Sequence, residues 1–329
     1  MQLKGIHHVS AMTAKAPANY NFYTKVMGLR LIKKTVNQDD VSMYHLFYGD
    51  EKGNPGTELT FFEMPMAGQN RDGNDSISAL SLRVPSDAAL EYWTKRLDEF
   101  GIAHEDIRPR AGRLTLAFRD FEGQRLILIS DEHDTGVAAG KPWSQSPVPA
   151  EFGITGLGPV KLTVHEAAPT AAVLTELLNF RRKGSFPNID APDQPDILVF
   201  ETGEGGSGAE IHLEERHDLA HERLGRGGVH HVAFRVDNDD ELKQWIEAVR
   251  KVQFPNSGYV DRFYFHSLYF REPNGILFEL ATDGPGFDTD EDFEHLGESL
   301  ALPPFLEPKR AQIEALLKPL ETANPQANF

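Results

Sequence analysis

Hydrophobic and polar positions along the chain form a pattern that recurs four times, at intervals of roughly 70 to 77 residues. Each copy opens on an apolar stretch: GIHHVSAM from Gly5, SISALSLRV from Ser76, ITGLGPVKLTV from Ile154 and GVHHVAFRV from Gly228. A segment with helical spacing follows each opening, over Ala16 to Met27, Ser86 to Phe100, Ala167 to Asn179 and Asp239 to Val252. Ser86 and Asp239 stand where N-caps are expected. An extended stretch and a glycine-containing turn then lead into a closing strand: PGTELTFFEMP, EGQRLILIS, GSGAEIHLEE and NGILFELAT. Each copy therefore predicts a β-α-β-β-β module.

One such module leaves the inner face of its sheet bare, so modules must pair and curl around a shared cavity. The predicted fold class is α+β: four βαβββ modules forming two pseudo-barrel cavities. The expected division is an N-terminal pair over 1–140 (modules near 5–65 and 76–131), a linker over 141–152, a C-terminal pair over 153–285 (modules near 154–215 and 228–283) and an extension over 286–329. The linker is placed by its Gly, Pro and Ser content. The extension carries a short predicted helix from Pro308 to Leu317 and then a frayed tail.

Composition narrows the chemistry. There is no cysteine, which excludes disulfides, thiolate nucleophiles and sulfur-ligated zinc, so any metal must sit on imidazole, carboxylate and water. Fifty acidic against 33 basic residues, a net charge of -17, disfavours nucleic acid and anionic membrane surfaces as partners. The N-terminus MQLKGIHHVS lacks the apolar run of a secretion signal, and the expected location is the cytoplasm.

Against that background the two His-His pairs stand out. His7-His8 and His230-His231 occupy the same position of the opening strand in modules 1 and 4. Opposed to Val229, Val232 and Phe234, His231 is the inward member of its pair. Aligned on their glycines, the closing strands place Glu279 where Thr60, Ile127 and His212 stand in the other modules. A carboxylate between Phe278 and Leu280 is costly to bury unless a cation or proton accompanies it. Two histidines and one carboxylate leave about half of an octahedral shell open, the facial set of non-heme iron(II) oxygenases. His8, His231 and Glu279 are the candidate ligands for iron(II), with manganese(II) sharing the same ligand preferences and dioxygen as co-substrate. A lone inward histidine is more often a packed core residue, and His212 is read that way, since its module offers Pro159 and module 2 offers Leu80 and Ile127. Ligands from modules 1 and 4 require those two to pair around the metal, which leaves 2 and 3 to pair without one.

These residues resemble the vicinal oxygen chelate (glyoxalase/bleomycin resistance/dioxygenase) superfamily, and within it the ring-cleaving hydroquinone 1,2-dioxygenases. The resemblance rests on GIHHVS, GVHHVAFRV and DRFYFHSLYFREPNGILFELATDGPGF, and extends to the LPP segment at Leu302–Pro304. It implies an oxidoreductase that opens para-diols, chlorinated or alkylated forms included, with both atoms of dioxygen incorporated. It also implies further catalytic residues at His7, His230, Arg262 and Tyr269. Ser10 stands where relatives can carry threonine. From chemistry alone, Tyr269 can face the cavity and Arg262 could orient Glu279 or an anionic intermediate. His7 and His230 pose a tension, because regular strands turn them away from the metal. The partner is a small aromatic substrate, and the sequence is compatible with a homo-oligomer. The alternatives are an extradiol catechol dioxygenase, which would draw ligands from modules 3 and 4 where Pro159 intervenes, a glyoxalase-like metalloenzyme, which wants a fourth ligand, and a non-catalytic binder, which would not need the triad.

Overall fold

A computed structural model describes residues 1–322. Module 1 comprises β1 (Ile6–Thr13), α1 (Ala16–Asn21), β2 (Arg30–Asn37), β3 (Asp40–Gly49) and β4 (Glu58–Glu63). Module 2 comprises β5 (Ser76–Val84), α2 (Asp87–Glu99), β6 (Arg108–Arg110), β7 (Arg113–Arg119) and β8 (Arg125–Ser130). Module 3 comprises β9 (Gly156–Val164), α3 (Ala167–Ala172), β10 (Arg181–Phe186), β11 (Ile197–Glu201) and β12 (Glu210–Glu215). Module 4 comprises β13 (Val229–Val236), α4 (Asp239–Lys251), β14 (Val260–Asp261), β15 (Phe265–Arg271) and β16 (Leu277–Pro285). Each follows the β-α-β-β-β order that the pattern predicts.

The strands form two eight-stranded sheets. One runs β14-β15-β16-β13-β1-β4-β3-β2 and joins modules 4 and 1. The other runs β10-β11-β12-β9-β5-β8-β7-β6 and joins modules 3 and 2. The seam of each sheet is an antiparallel pair of opening strands, β1 with β13 and β5 with β9. The pairing expected from the ligands, 1 with 4 and 2 with 3, is therefore the pairing found. Trp93 of α2 and Trp245 of α4 are fully buried against the sheets.

The register confirms the alignment of the closing strands. Thr60 pairs with Ser10, Ile127 with Ser81, His212 with Lys161 and Glu279 with Ala233, four equivalent positions. It also corrects one detail. Two residues before Ser81 stands Ala79, so module 2 offers Ala79 and not Leu80 at the position of His8. Leu80 packs into the core on the other face.

A second correction concerns α4. Its N-cap is Asn238, whose side chain accepts from the Asp240 and Glu241 amides at 3.1 and 3.0 Å, and Asp239 is the first helical residue. Asn238 has extended backbone, as a cap requires, whereas Asp239 lies in the first turn, where its carboxylate favours the helix dipole. At α2 the predicted cap Ser86 does accept from the Ala89 amide, at 3.2 Å.

Beyond the last module the chain folds back over module 1. Lys33, fully buried, donates to the Phe287 carbonyl at 2.9 Å and to Asp290 and Glu291. Leu302, Leu306 and Ile313 pack with Val36, and the predicted terminal helix is α5 (Arg310–Leu316). The last seven residues of the tail, 323–329, lie outside the described residues. Among the described residues, no helix is long and apolar enough to cross a membrane.

Candidate metal centre

His8, His231 and Glu279 come from three consecutive strands, β1, β13 and β16. His8 Nε2 and His231 Nε2 are 3.3 Å apart, and Glu279 Oε2 lies 3.0 Å from the first and 2.9 Å from the second. All three side chains are buried. Oε2 makes no hydrogen bond of acceptable geometry, so it converges with the two Nε2 atoms as one of three lone-pair donors. Donors in cis positions around an ion at about 2.1 Å would be about 3.0 Å apart, and tetrahedral ones about 3.4 Å. The observed separations fit a facial set of three, and the residues fit a divalent cation. Burial would raise the Glu279 carboxyl, but its interactions with His8 and His231 outweigh it and hold the group well below the usual carboxylate range.

Backbone irregularity explains the neighbouring histidines. In the seam, Ile6 faces Phe234 and Val9 faces Val232, so His7 and His8 together oppose Ala233. Four residues on, Ser10 faces His231 and Ala11 faces Val229, which leaves His230 as the extra residue on the other strand. These are two β-bulges at equivalent places, and a bulge re-aims side chains that strict alternation would send to opposite faces. His230 is why Val229 joins Val232 and Phe234 in one core cluster. It also resolves the tension over the outer histidines, which lie beside the ligands: His7 Nδ1 is 2.9 Å from His8 Nδ1, and His230 Nδ1 is 2.8 Å from His231 Nδ1.

A tautomer assignment follows. For Nε2 to offer a lone pair, Nδ1 of each ligand must carry the proton. His8 Nδ1–H then donates to His7 Nδ1, and His7 Nε2–H donates to the Thr282 carbonyl at 3.1 Å. His231 Nδ1–H donates to His230 Nδ1, which leaves His230 Nε2–H for the cavity. The outer rings must stay neutral to accept. Burial, then the adjacent ligand histidine, lowers His7 to about 3 and His230 to about 4.

The triad opens onto a cavity of about 510 Å³, walled by Phe47, Phe62, Phe265 and Leu277 among others. His230, Arg262 and Tyr269 line it, whereas His7 does not; His7 faces a second recess behind the triad, beside the buried Glu58. Tyr269 pairs with Glu279 across β15 and β16. Burial and the charge of Glu279 raise its hydroxyl above the ordinary value, so it remains a donor. Arg262 does not reach Glu279. Its Nε donates to the Tyr269 hydroxyl at 3.3 Å, and its outer nitrogens donate to Asp39 at 3.1 and 3.3 Å.

Two residues escape the sequence reading. Ser267 Oγ donates to Glu279 Oε1 at 2.5 Å, fixing the carboxylate from behind. His45, equivalent to Ser267 by register, meets Thr60 Oγ1 at 2.9 Å and stacks on Phe62 in the cavity wall. Alternation puts both on the inward face of β3 and β15, with Phe47 and Tyr269, but their partners follow only from the register with β4 and β16.

Fold and site together define the class. The chain belongs to the Glyoxalase/Bleomycin resistance protein/Dioxygenase superfamily, whose family model matches residues 5–128 and 156–280. It is 55% identical over 321 residues to MhqA of Bacillus subtilis (strain 168), which bears the name of a ring-cleaving dioxygenase, with 98% of this chain and 100% of that one covered. It is 30% identical over 315 residues to the chlorohydroquinone/hydroquinone 1,2-dioxygenase of Sphingobium indicum, covering 93% of each. A dioxygenase crystal structure from Bacillus subtilis superposes with a TM-score of 0.88 at 34% identity, over 97% of this chain and 98% of the other. The chain is accordingly an enzyme of the ring-cleaving kind.

Proposed function

We propose that this chain is a cytoplasmic, non-heme iron(II)-dependent dioxygenase that opens the ring of a hydroquinone-type para-diol, plain, chlorinated or alkylated, with dioxygen. The observation that carries the reading is the triad itself: three converging buried donors, one face uncovered, at the floor of an aromatic-walled cavity. The named activity of the Sphingobium relative supports the para-diol as substrate class.

His8, His231 and Glu279 would hold the ion. When bound, iron(II) supplies a Lewis acid for a substrate hydroxyl and a redox partner for dioxygen. The remaining work falls to the chain. Phe47, Phe62 and Phe265 exclude water and hold a flat ring. His230 Nε2–H donates to a substrate oxygen, and its own orientation is fixed through Nδ1. The Tyr269 hydroxyl, protonated across the neutral range and steadied by Arg262, donates a second hydrogen bond where negative charge develops. His7 acts by positioning: it fixes the tautomer and tilt of His8 through Nδ1 while anchored to the Thr282 carbonyl.

A substrate panel tests the assignment. The iron-loaded enzyme should turn over hydroquinone and its chloro and methyl derivatives with kcat/KM at least about tenfold above catechol. Faster turnover of catechol, with meta-cleavage product absorbance, would make it an extradiol enzyme.

A further inference from the structure

We propose that the cavity of the other sheet, the one without the triad, is a binding site for a small aromatic or unsaturated monocarboxylate. This cavity, between modules 2 and 3, measures about 900 Å³ and exceeds the one at the triad. Among the described residues no group of metal-ligating side chains lies in it. Of the positions equivalent to those of the triad, Ala79 and Ile127 line it and leave an apolar floor, whereas Pro159 and His212 are not in its wall, and His212 is held by Glu210 at 3.1 Å. Phe22, Phe118 and Phe121 supply aromatic wall, and Phe100 and Phe121, at its rim, are 47% and 40% exposed.

One charged group on that wall lacks a settled partner. Arg125 lies on β8 two residues before Ile127, hence on the same face, where the triad cavity has Leu277. Its guanidinium makes no hydrogen bond to any described residue, and its ion-pair partner, Asp72, 3.7 Å from Nε, is held more closely by Arg119 at 3.2 Å. The other cations of the cavity are engaged. Lys161 pairs with Glu214 at 3.2 Å, Arg110 with Glu105 and Asp190, and Arg216 with Asp218. The same pairs neutralise most of the wall carboxylates. A guanidinium with unused donors beside aromatic walls recognises a planar apolar body bearing one carboxylate, which it binds through two parallel hydrogen bonds. A phosphate dianion is disfavoured, since a single loosely paired cation in a chain of net charge -17 must balance it.

Benzoate is the probe, titrated calorimetrically into the full metal-free chain, with neutral benzamide for comparison. Benzoate should bind one per chain, and benzamide at least about tenfold more weakly. Arg125→Gln should weaken benzoate at least about tenfold, and Arg125→Lys should restore it to within about threefold. Arg262→Gln, in the triad cavity, should leave it unchanged. The proposal is overturned if Arg125→Gln binds benzoate like the parent, or if Arg262→Gln abolishes binding, which would locate the ligand at the triad. It is equally overturned if no benzoate binds and sedimentation shows a second copy of the chain covering Phe100 and Phe121.

Discussion

The Nε2 atoms of His8 and His231 lie 3.3 Å apart although the two residues are 223 positions apart in the chain. Chain topology explains the approach. The first and last modules share the seam β1–β13, so equivalent positions of equivalent strands meet across a pseudo-two-fold axis. The carboxylate follows because β16 is the next strand over.

Removing a ligand should remove the ion. His231→Ala and Glu279→Ala are expected to purify folded but with metal falling from near one equivalent to below about a tenth. Elemental analysis beside circular dichroism checks this, and full metal retention in either variant would rule out the proposed ligand set.

Ser267→Ala probes support rather than ligation. The variant loses the 2.5 Å hydrogen bond that fixes Glu279 Oε1, and metal affinity should drop about 10- to 100-fold with the ligands intact. Competition with a chelator measures it; an unchanged affinity would mean that β-sheet packing alone orients the carboxylate.

Tyr269→Phe separates binding from turnover. With its hydroxyl held protonated by burial and by Glu279, Tyr269 contributes a donor and no ionisation limb in the neutral range. The variant should keep its metal, lose about tenfold or more in kcat, and retain the shape of the pH profile up to pH about 9. Loss of a basic limb in the variant would show that the phenol ionises during turnover.

Stability of the metal-free protein should depend on pH with a defined sign. His7 is lowered from 6.5 to about 3 and His230 to about 4, so between those values the unfolded chain binds more protons than the folded one. Their contribution is complete above about 6.5 and is lost as pH falls towards 4. Glu279, held below the carboxylate range, acts in the same direction at lower pH: its contribution is present above the unfolded value and lost as pH falls through the folded one. Glu222, raised to about 7, and Asp120, raised to about 6, act with the opposite sign, so the histidine effect is read as a difference: below about pH 6.5 the urea midpoint of the parent should fall relative to that of the His7→Gln/His230→Gln double variant. A difference between the two midpoints that stays constant from about pH 7 down to about 4.5 would contradict the buried neutral state of these rings.

Much of this is legible in the sequence. The repeat specified the modules, and the two His-His pairs with Glu279 specified which modules must meet. What alternation could not show were the bulges at His7-His8 and His230, because a bulge is a mismatch between two strands and belongs to neither sequence alone. His45 and Ser267 were hidden for a related reason: each acts on a residue of the adjacent strand, so its role appears only once register is known. The α4 cap was misplaced by one residue because Asn238 and Asp239 are both competent caps, and only the backbone turn distinguishes them. Asn238→Ala should cost about 1 kcal/mol in urea unfolding.

In the proposed function, iron on His8, His231 and Glu279 drives ring opening. Oxygen uptake by anaerobically iron(II)-loaded protein on addition of hydroquinone tests it directly. One dioxygen should be consumed per hydroquinone with a new semialdehyde absorbance, and neither should be seen in Glu279→Ala. Iron bound at one equivalent with no oxygen consumed, or the same uptake in Glu279→Ala, would contradict it.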